Sequence, residues 1–340
     1  MILCLVLASD ESGGLENHVL TLANNPLINE KYQVHLIAPD RFRNDVTTAS
    51  FHALDATKSR KNPILLYKLV NLLRSIQPDV IHAHANKAAS LISTIYPWLG
   101  FSCSKIATIH SEKRNTKGFS SFDTVIGVSH RVLNSVTNNN KVVIYNGVDV
   151  DMRRIRSRDF LQQTEQLSNK KILVMGRLVE VKRFDLLISI AGRLHDCDVL
   201  IVGEGKLRGQ LESEVKKKKL NNVFFLGHRD DNIELMSASD LFVICSDREG
   251  FPYTLVESLR LHIPVVSTDV SDASLILPAE NVVPVGDMEA LYASIRKQID
   301  DPEANKEKLE NAFRWAQENT SLNNMIDQIL KQYDFSLMSG

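Results

Sequence analysis

The chain has 340 residues, with 40 Lys+Arg against 41 Asp+Glu and a formal net charge of −1 at pH 7. A single core rarely grows past about 250–300 residues, so two domains are expected; 44% hydrophobic and 24% charged residues exclude a largely disordered chain. The balanced charge excludes a nucleic-acid scaffold, and no run approaches the ~20 apolar residues of a spanning helix.

The chain starts with an apolar run, Met1 to Ala8, that Asp10 and Glu11 end and that no basic segment precedes. It reads as a buried strand rather than a secretory leader. Further strands are expected at 33–37, 80–83, 105–109, 124–128 and 142–145, with helical patterns at 15–24, 64–76, 88–99 and 130–136. Strands alternating with helices imply parallel βαβ units, hence a sheet covered on both faces. Residues 151–169 are polar and lack a strand pattern, and then the alternation restarts. Strands are expected at 171–175, 198–202, 223–226, 241–245, 265–267 and 282–284, and helices at 183–194, 206–218, 231–237, 252–261 and 289–300. The tail from Ala304 to Tyr333 reads as two helices. Cys4, Cys103, Cys197 and Cys245 form no C-x-x-C pair and lie mostly in apolar runs, as reduced thiols of a cytoplasmic protein do.

Ligands of such sheets bind beyond the carboxyl ends of the strands. Three segments there carry chemistry. Ser246-Asp-Arg-Glu249-Gly250-Phe251-Pro252 ends a strand and opens a helix that contains Thr254, Leu255 and Glu257. Pro252 suits a first helical turn, whose free N–H groups attract an anion. Glu249 and Glu257 can face one site and accept hydroxyl groups. Gly176-Arg177 to Lys182-Arg183 follows another strand and offers a guanidinium fork and an ammonium to a diphosphate. Gly13-Gly14 follows the first strand and lets a ligand approach the backbone. His82, His84 and His110 end strands in the same half. Without a neighbouring carboxylate or cysteine a metal cluster is not expected, and His82 and His84 read as packing and hydrogen-bonding residues, whereas His110 leads into a polar loop, Ser111 to Asn115, that faces the strand-end site. Gly203-Glu-Gly205-Lys-Leu-Arg-Gly209 imitates a dinucleotide turn, but no strand-end acidic residue follows about 20 positions on to take a ribose.

These motifs, in this order, resemble glycosyltransferase family 4, retaining enzymes of the GT-B fold. The likeness is strongest over 171–268, in GRLVEVKRFDLLI, VGEGKLRGQLE and SDREGFPYTLVESLRLHIPVVSTD; GGLENHV, DVIHAH, TIH, VIGVSH and VIYNGVD carry it in the front half. The resemblance implies an α/β protein with two facing Rossmann-like domains and an interdomain cleft. Residues 1–155 would bind the acceptor and 156–320 the nucleotide-sugar donor, with 321–340 a helix packing back on the first domain. It assigns His110 and Glu249 to catalysis. It assigns Gly13, Gly14, Arg177, Lys182, Gly250, Phe251, Pro252, Thr254, Leu255 and Glu257 to the donor, Glu257 on the ribose. No cofactor is implied beyond the donor as co-substrate, a UDP-sugar before a GDP-sugar.

The implied acceptor is a saccharide or glycolipid of surface polysaccharide or lipopolysaccharide synthesis, and no nucleic acid is expected as partner. Residues 1–150 carry 15 basic and 11 acidic side chains, net +4, which fits an anionic acceptor. Lys87, Lys105, Lys113, Arg114 and Lys117 are placed around the cleft, and the stretch 88–99 with Tyr96 and Trp98 reads first as a core-packing helix, with peripheral contact with the inner membrane as the alternative. A sugar-nucleotide epimerase or hydrolase of the same fold is the alternative, and an NAD-dependent dehydrogenase resting on Gly203–Gly209 a more distant one. The family's Gly-Gly after VVSTD is replaced here by Val270-Ser271-Asp272-Ala273, which puts phosphate contacts of that loop in question.

Overall fold

The computed structural model describes residues 1–11, 13–150 and 169–338. The expected 155/156 domain boundary and the polar 151–168 stretch therefore lie outside the described residues. The chain divides into two compact units, Met1–Asn146 with Leu322–Gly340, and Gly147–Ser321.

The first unit is built on a parallel sheet of β1 (Ile2–Leu7), β2 (Gln33–Ala38), β3 (Ser50–Ala53), β4 (Val80–His84), β5 (Ser104–Ile109), β6 (Thr124–Gly127) and β7 (Lys141–Val143), in the order β3-β2-β1-β4-β5-β6-β7. Its helices are α1 (Gly14–Asn24), α2 (Pro26–Lys31), α3 (Pro63–Ile76), α4 (Ala85–Ile95) and α5 (His130–Leu133). β1 is buried at Leu3 to Leu7 because it lies between β2 and β4 with helices over both faces. The order reverses between β1 and β4, which is where doubly wound sheets bind ligands.

The second unit has β8 (Lys170–Met175), β9 (Cys197–Val202), β10 (Val223–Gly227), β11 (Leu241–Ile244), β12 (Val265–Thr268) and β13 (Val282–Val283), in the order β10-β9-β8-β11-β12-β13. The helices α6 (Phe184–Ala191), α7 (Arg208–Lys217), α8 (Asn232–Ser237), α9 (Tyr253–Arg260), α10 (Ala273–Ile276), α11 (Met288–Asp300) and α12 (Pro302–Asn319) belong to it, and its switch point lies between β8 and β11. The last helix, α13 (Leu322–Met338), packs into the core of the first unit through Met325, Ile326, Ile329 and Tyr333.

Two expectations need correction. The stretch 88–99 is not one helix: α4 begins at Ala85 and ends at Ile95, and Tyr96–Trp98 form a 3₁₀ turn, because Pro97 cannot donate to the helical ladder. Lys105 sits at the amino end of β5, opposite the ligand edge, where its Nζ donates to the Ser121 carbonyl and lies over the Tyr96 ring. No helix among the described residues is long and apolar enough to cross a membrane.

Candidate functional site

In the second unit, the loop leaving β8 and the loop leaving β11 are stitched together. The amide of Asp247 donates to the Val181 carbonyl (2.8 Å), and the Cys245 thiol donates to the Lys182 carbonyl (3.2 Å). Arg183, in the left-handed region (φ 51°), bonds Asp185 and reaches Asp247 at 2.9 Å. These carboxylates hold its guanidinium above its ordinary pKa, so it acts as a fixed brace. The brace brings Lys182 Nζ to 2.6 Å from Glu249 Oε1, and the Ser246 hydroxyl donates to the same oxygen (2.7 Å). Both members of the pair are largely shielded from water, whereas Arg177 is exposed on the β8 loop.

Gly250 leads from this pair to α9. Pro252 was expected in the first helical turn; it stands instead at the N-cap, with an extended ψ of 133° and no capping side chain. The first-turn N–H groups of α9 are thus not covered by a side chain from that position. Phe251 and Leu255 are buried, Phe251 edge-on to Trp315, so their share in a site is through the backbone. Thr254 is half-buried on the first turn. Glu257 lies one turn after Tyr253. Burial pushes its carboxyl up to about 7, and that carboxylate together with burial raises the Tyr253 phenol.

The replaced glycine loop is accounted for locally. Ser271 adopts φ 56°, a conformation that favours glycine, and its hydroxyl donates to the Gly250 carbonyl at 2.5 Å. Thr268 Oγ1 donates to the Ser246 carbonyl at 2.7 Å. Both bonds tie the end of β12 to the Glu249 loop.

Gly203 and Gly205 have a structural explanation. A Cβ on Gly203 would lie 2.0 Å from the Gly176 carbonyl oxygen, and one on Gly205 2.4 Å from that of Leu178. The amide of Leu178 donates to the Glu204 carbonyl (2.9 Å), so this turn braces the Arg177 loop. Two of the three glycines that suggested a dinucleotide turn are thus required by chain packing, while a Cβ on Gly209 would meet nothing within 4 Å.

In the first unit, Gly13 is the N-cap of α1, with extended backbone (φ 170°) and nothing closer to a Cβ than Glu16 Oε2 at 3.6 Å. Neither conformation nor space in the described residues demands glycine there, nor does Gly14 have positive φ. His110 follows β5. Its ring meets His18 of α1 edge-on at 4.8 Å, and its Nε2 is 3.3 Å from His84 Nδ1. Ring nitrogens of His18, His84 and His110 lie within 4.8 Å of one another. Burial lowers all three below the ordinary imidazole pKa, His18 to about 4, so they are neutral at pH 7.

The His82 ring lies 4.0 Å from that of His84, but both its nitrogens are already engaged, by Tyr333 Oη (2.8 Å) and Thr108 Oγ1 (2.7 Å), which is the packing role. The converging trio is therefore His18, His84 and His110, not the 82–84–110 set that strand ends suggested. His18 had no role in the sequence reading. Its signal was a buried-face position on α1, four residues after Gly14. His18 and His84 are buried and His110 is half-exposed, so a ligand would meet the trio through His110, to which His84 is hydrogen-bonded.

Comparison with known proteins accords with this geometry. Residues 12–152 match the family model described as Glycosyltransferase Family 4, and residues 156–315 match that described as Glycosyl transferases group 1. An uncharacterized glycosyltransferase of Methanocaldococcus jannaschii is 24% identical over 251 residues, 62% of this chain and 62% of the relative. The lipopolysaccharide core biosynthesis glycosyltransferase LpsE of Rhizobium meliloti is 25% identical over 304 residues, 86% of this chain and 87% of its own length. A UDP complex of the Anabaena protein HepE superposes with a TM-score of 0.81 at 20% identity, covering 98% of this chain and 100% of that one. The two sheets, the paired loops of the second unit and both family matches lead to one assignment: the chain belongs to the glycosyltransferases, with the GT-B fold.

Proposed function

We propose that the protein transfers a sugar from a nucleotide donor, a UDP-sugar before a GDP-sugar, to a saccharide or glycolipid acceptor in surface-glycan synthesis. The observation that carries this reading is the Lys182–Glu249 pair (2.6 Å) at the entry to α9, with the half-buried Glu257 on the second turn of that same helix. A cation, an open helix start and two carboxylates are what a diphosphate flanked by sugar and ribose requires. HepE, the fold relative, was crystallised with UDP and with UDP-glucose, and LpsE is named for lipopolysaccharide core synthesis, which supports donor and pathway class.

In the reaction the acceptor oxygen bonds to the anomeric carbon while the carbon–oxygen bond to phosphate breaks. The nucleoside diphosphate leaves with the electron pair, and the acceptor proton passes to its oxygen. Negative charge grows on the leaving group, where Lys182, Arg177 and the amides of Gly250 to Leu255 stabilise it. Glu249 accepts hydroxyl groups of the transferred sugar, and Glu257 those of the ribose. From the first unit, Gly13 and Gly14 admit the diphosphate to the backbone, and His110, held neutral by burial, bonds to the sugar at the reacting centre. With these charges in place no metal is invoked, and front-face attack with retention is the expected course. Contact with a membrane surface falls to Trp98, exposed at the end of the α4 segment.

The test combines binding and turnover. UDP-, GDP- and ADP-sugars, with NAD(H) as control and chelator present, are compared by thermal shift, which grows with ligand concentration over Kd. One sugar-nucleotide class should stabilise the protein. Lys182→Ala and Glu249→Ala should each lower transfer by about 10²–10³-fold in a folded protein. Stabilisation by NAD(H) alone, or undiminished turnover in either folded variant, refutes the reading.

A further inference from the structure

A cavity of about 620 Å³ opens at the carboxyl edge of the first sheet, within the usual size of small-molecule sites. It is bounded by the segments that leave β1, β2 and β3 and by α3, on the β1 side of the switch point. None of the donor-binding or catalytic residues named above lines it. Its floor is apolar: Leu54, Leu65 and Leu69 are buried there. Its wall carries three carboxylates, Asp10, Asp40 and Asp55, each already matched by a cation. Asp10 pairs with Arg41 at 3.2 Å, Asp40 with Arg43 at 2.7 Å, and Asp55 with Lys58 at 3.4 Å. Thr57 donates its hydroxyl and amide to Asp55 and keeps that carboxylate below its ordinary pKa. Among the described residues, the lining cation without an ion pair is Lys68 on α3. The rim is also tied to the switch point, because Lys87 in the first turn of α4, just after His84, donates to the Ala56 carbonyl.

We propose that this cavity seats the acceptor, and that the acceptor there is a saccharide bearing an acidic group. The inference rests on the transferase reading and adds where the acceptor binds and what it is. An ion-paired carboxylate retains acceptor positions that hydroxyl groups can use, and three of them around one cavity suit a hydroxyl-rich ligand. The leucine floor covers the carbon–hydrogen face of a sugar ring. A bare acyl chain is disfavoured by a wall of paired charges that would lose water without new bonds. Lys68 then meets an acidic substituent, which a uronate carboxylate or a sugar phosphate supplies equally well.

The experiment is calorimetric titration of the full chain with lactose, cellobiose, cellobiuronic acid and lactose 1-phosphate at millimolar concentrations, with UDP and GDP titrated in parallel. At least one acidic sugar should bind the wild type more tightly than its neutral counterpart. Thr57→Trp, at an exposed position on the rim, should weaken saccharide binding about tenfold or more by filling the entrance, while the UDP affinity is kept. Lys68→Glu should remove the preference for the acidic sugars; whether cellobiuronic acid or lactose 1-phosphate is favoured identifies the acidic group. Saccharide affinity unchanged by Thr57→Trp, or no saccharide binding to the wild type, overturns the inference. Saccharide binding with neither UDP nor GDP binding would instead overturn the transferase reading and leave the cavity as a saccharide site only.

Discussion

Glu257 connects burial to a measurable pH dependence. Its carboxyl is raised from 4.5 to about 7 by loss of water around it on α9. A ribose hydroxyl donates to a carboxylate, so the ionised form is the one that binds donor. Donor affinity should therefore rise with pH up to about 7 and fall by up to about tenfold per unit below it. Binding near neutral pH should release protons, seen as heats that depend on buffer ionisation, and Glu257→Gln should flatten both effects. The stability sign is opposite: the folded state holds this proton more tightly, so the contribution is full below 4.5 and lost as pH rises through about 7. Affinity in the wild type that is flat from pH 5.5 to 8 would remove Glu257 from the ribose. The Glu249–Glu257 spacing was legible because both residues lie on one strand–loop–helix segment. His18 was not, since its meeting with His84 and His110 depends on α1, β4 and β5 being folded together.

Glycines separate what an element needs from what a ligand needs. Gly203 has φ 131°, and a Cβ there would stand 2.0 Å from backbone oxygen, so Gly203→Ala should force the β8 and β9 ends apart. A loss of about 2–4 kcal/mol in urea unfolding is expected, with donor binding weakened because the Arg177 loop moves. Gly13 has extended backbone and ordinary space around it, so Gly13→Ala should leave stability within about 0.5 kcal/mol. If the diphosphate approaches this backbone, the same variant should still lose about tenfold or more in donor affinity. Full donor affinity in Gly13→Ala would mean that the glycine serves no ligand. At this scale most strands and long helices were legible, with ends displaced by a few residues. β3 escaped notice because Ser50–Ala53 is only four residues long, edge-placed and partly exposed, so it has little apolar periodicity. α2 was missed for a similar reason: its six residues bury Ile28 alone, and Pro26 reads as a breaker until the Asn25 cap is seen.

The first unit is completed by a helix that comes after the whole of the second. The chain leaves it at Asn146 and returns at Leu322, so its core closes only when α13 arrives. Tyr333 is the pivot. Its ring lies edge-on to Tyr32 and to His82, both at 5.6 Å, and its hydroxyl is 2.8 Å from His82 Nδ1. A neutral imidazole has one donor and one acceptor nitrogen, so with the tyrosine donating to Nδ1, Nε2–H of His82 donates to Thr108. Nearby, Ser104 donates its hydroxyl to the Ser336 carbonyl at 2.9 Å. Removing the ring by Tyr333→Ala should cost about 3–5 kcal/mol, the scale of a large aromatic lost from a core. Tyr333→Phe keeps the packing but leaves a buried His82 nitrogen without its partner, which costs about 1–3 kcal/mol. Because Tyr333 packs within the first unit alone, calorimetry of the full chain should show that unit's transition moving down while UDP still stabilises the second. A joint downward shift of both transitions, with UDP stabilisation lost, would show that α13 supports the whole chain rather than the unit it closes.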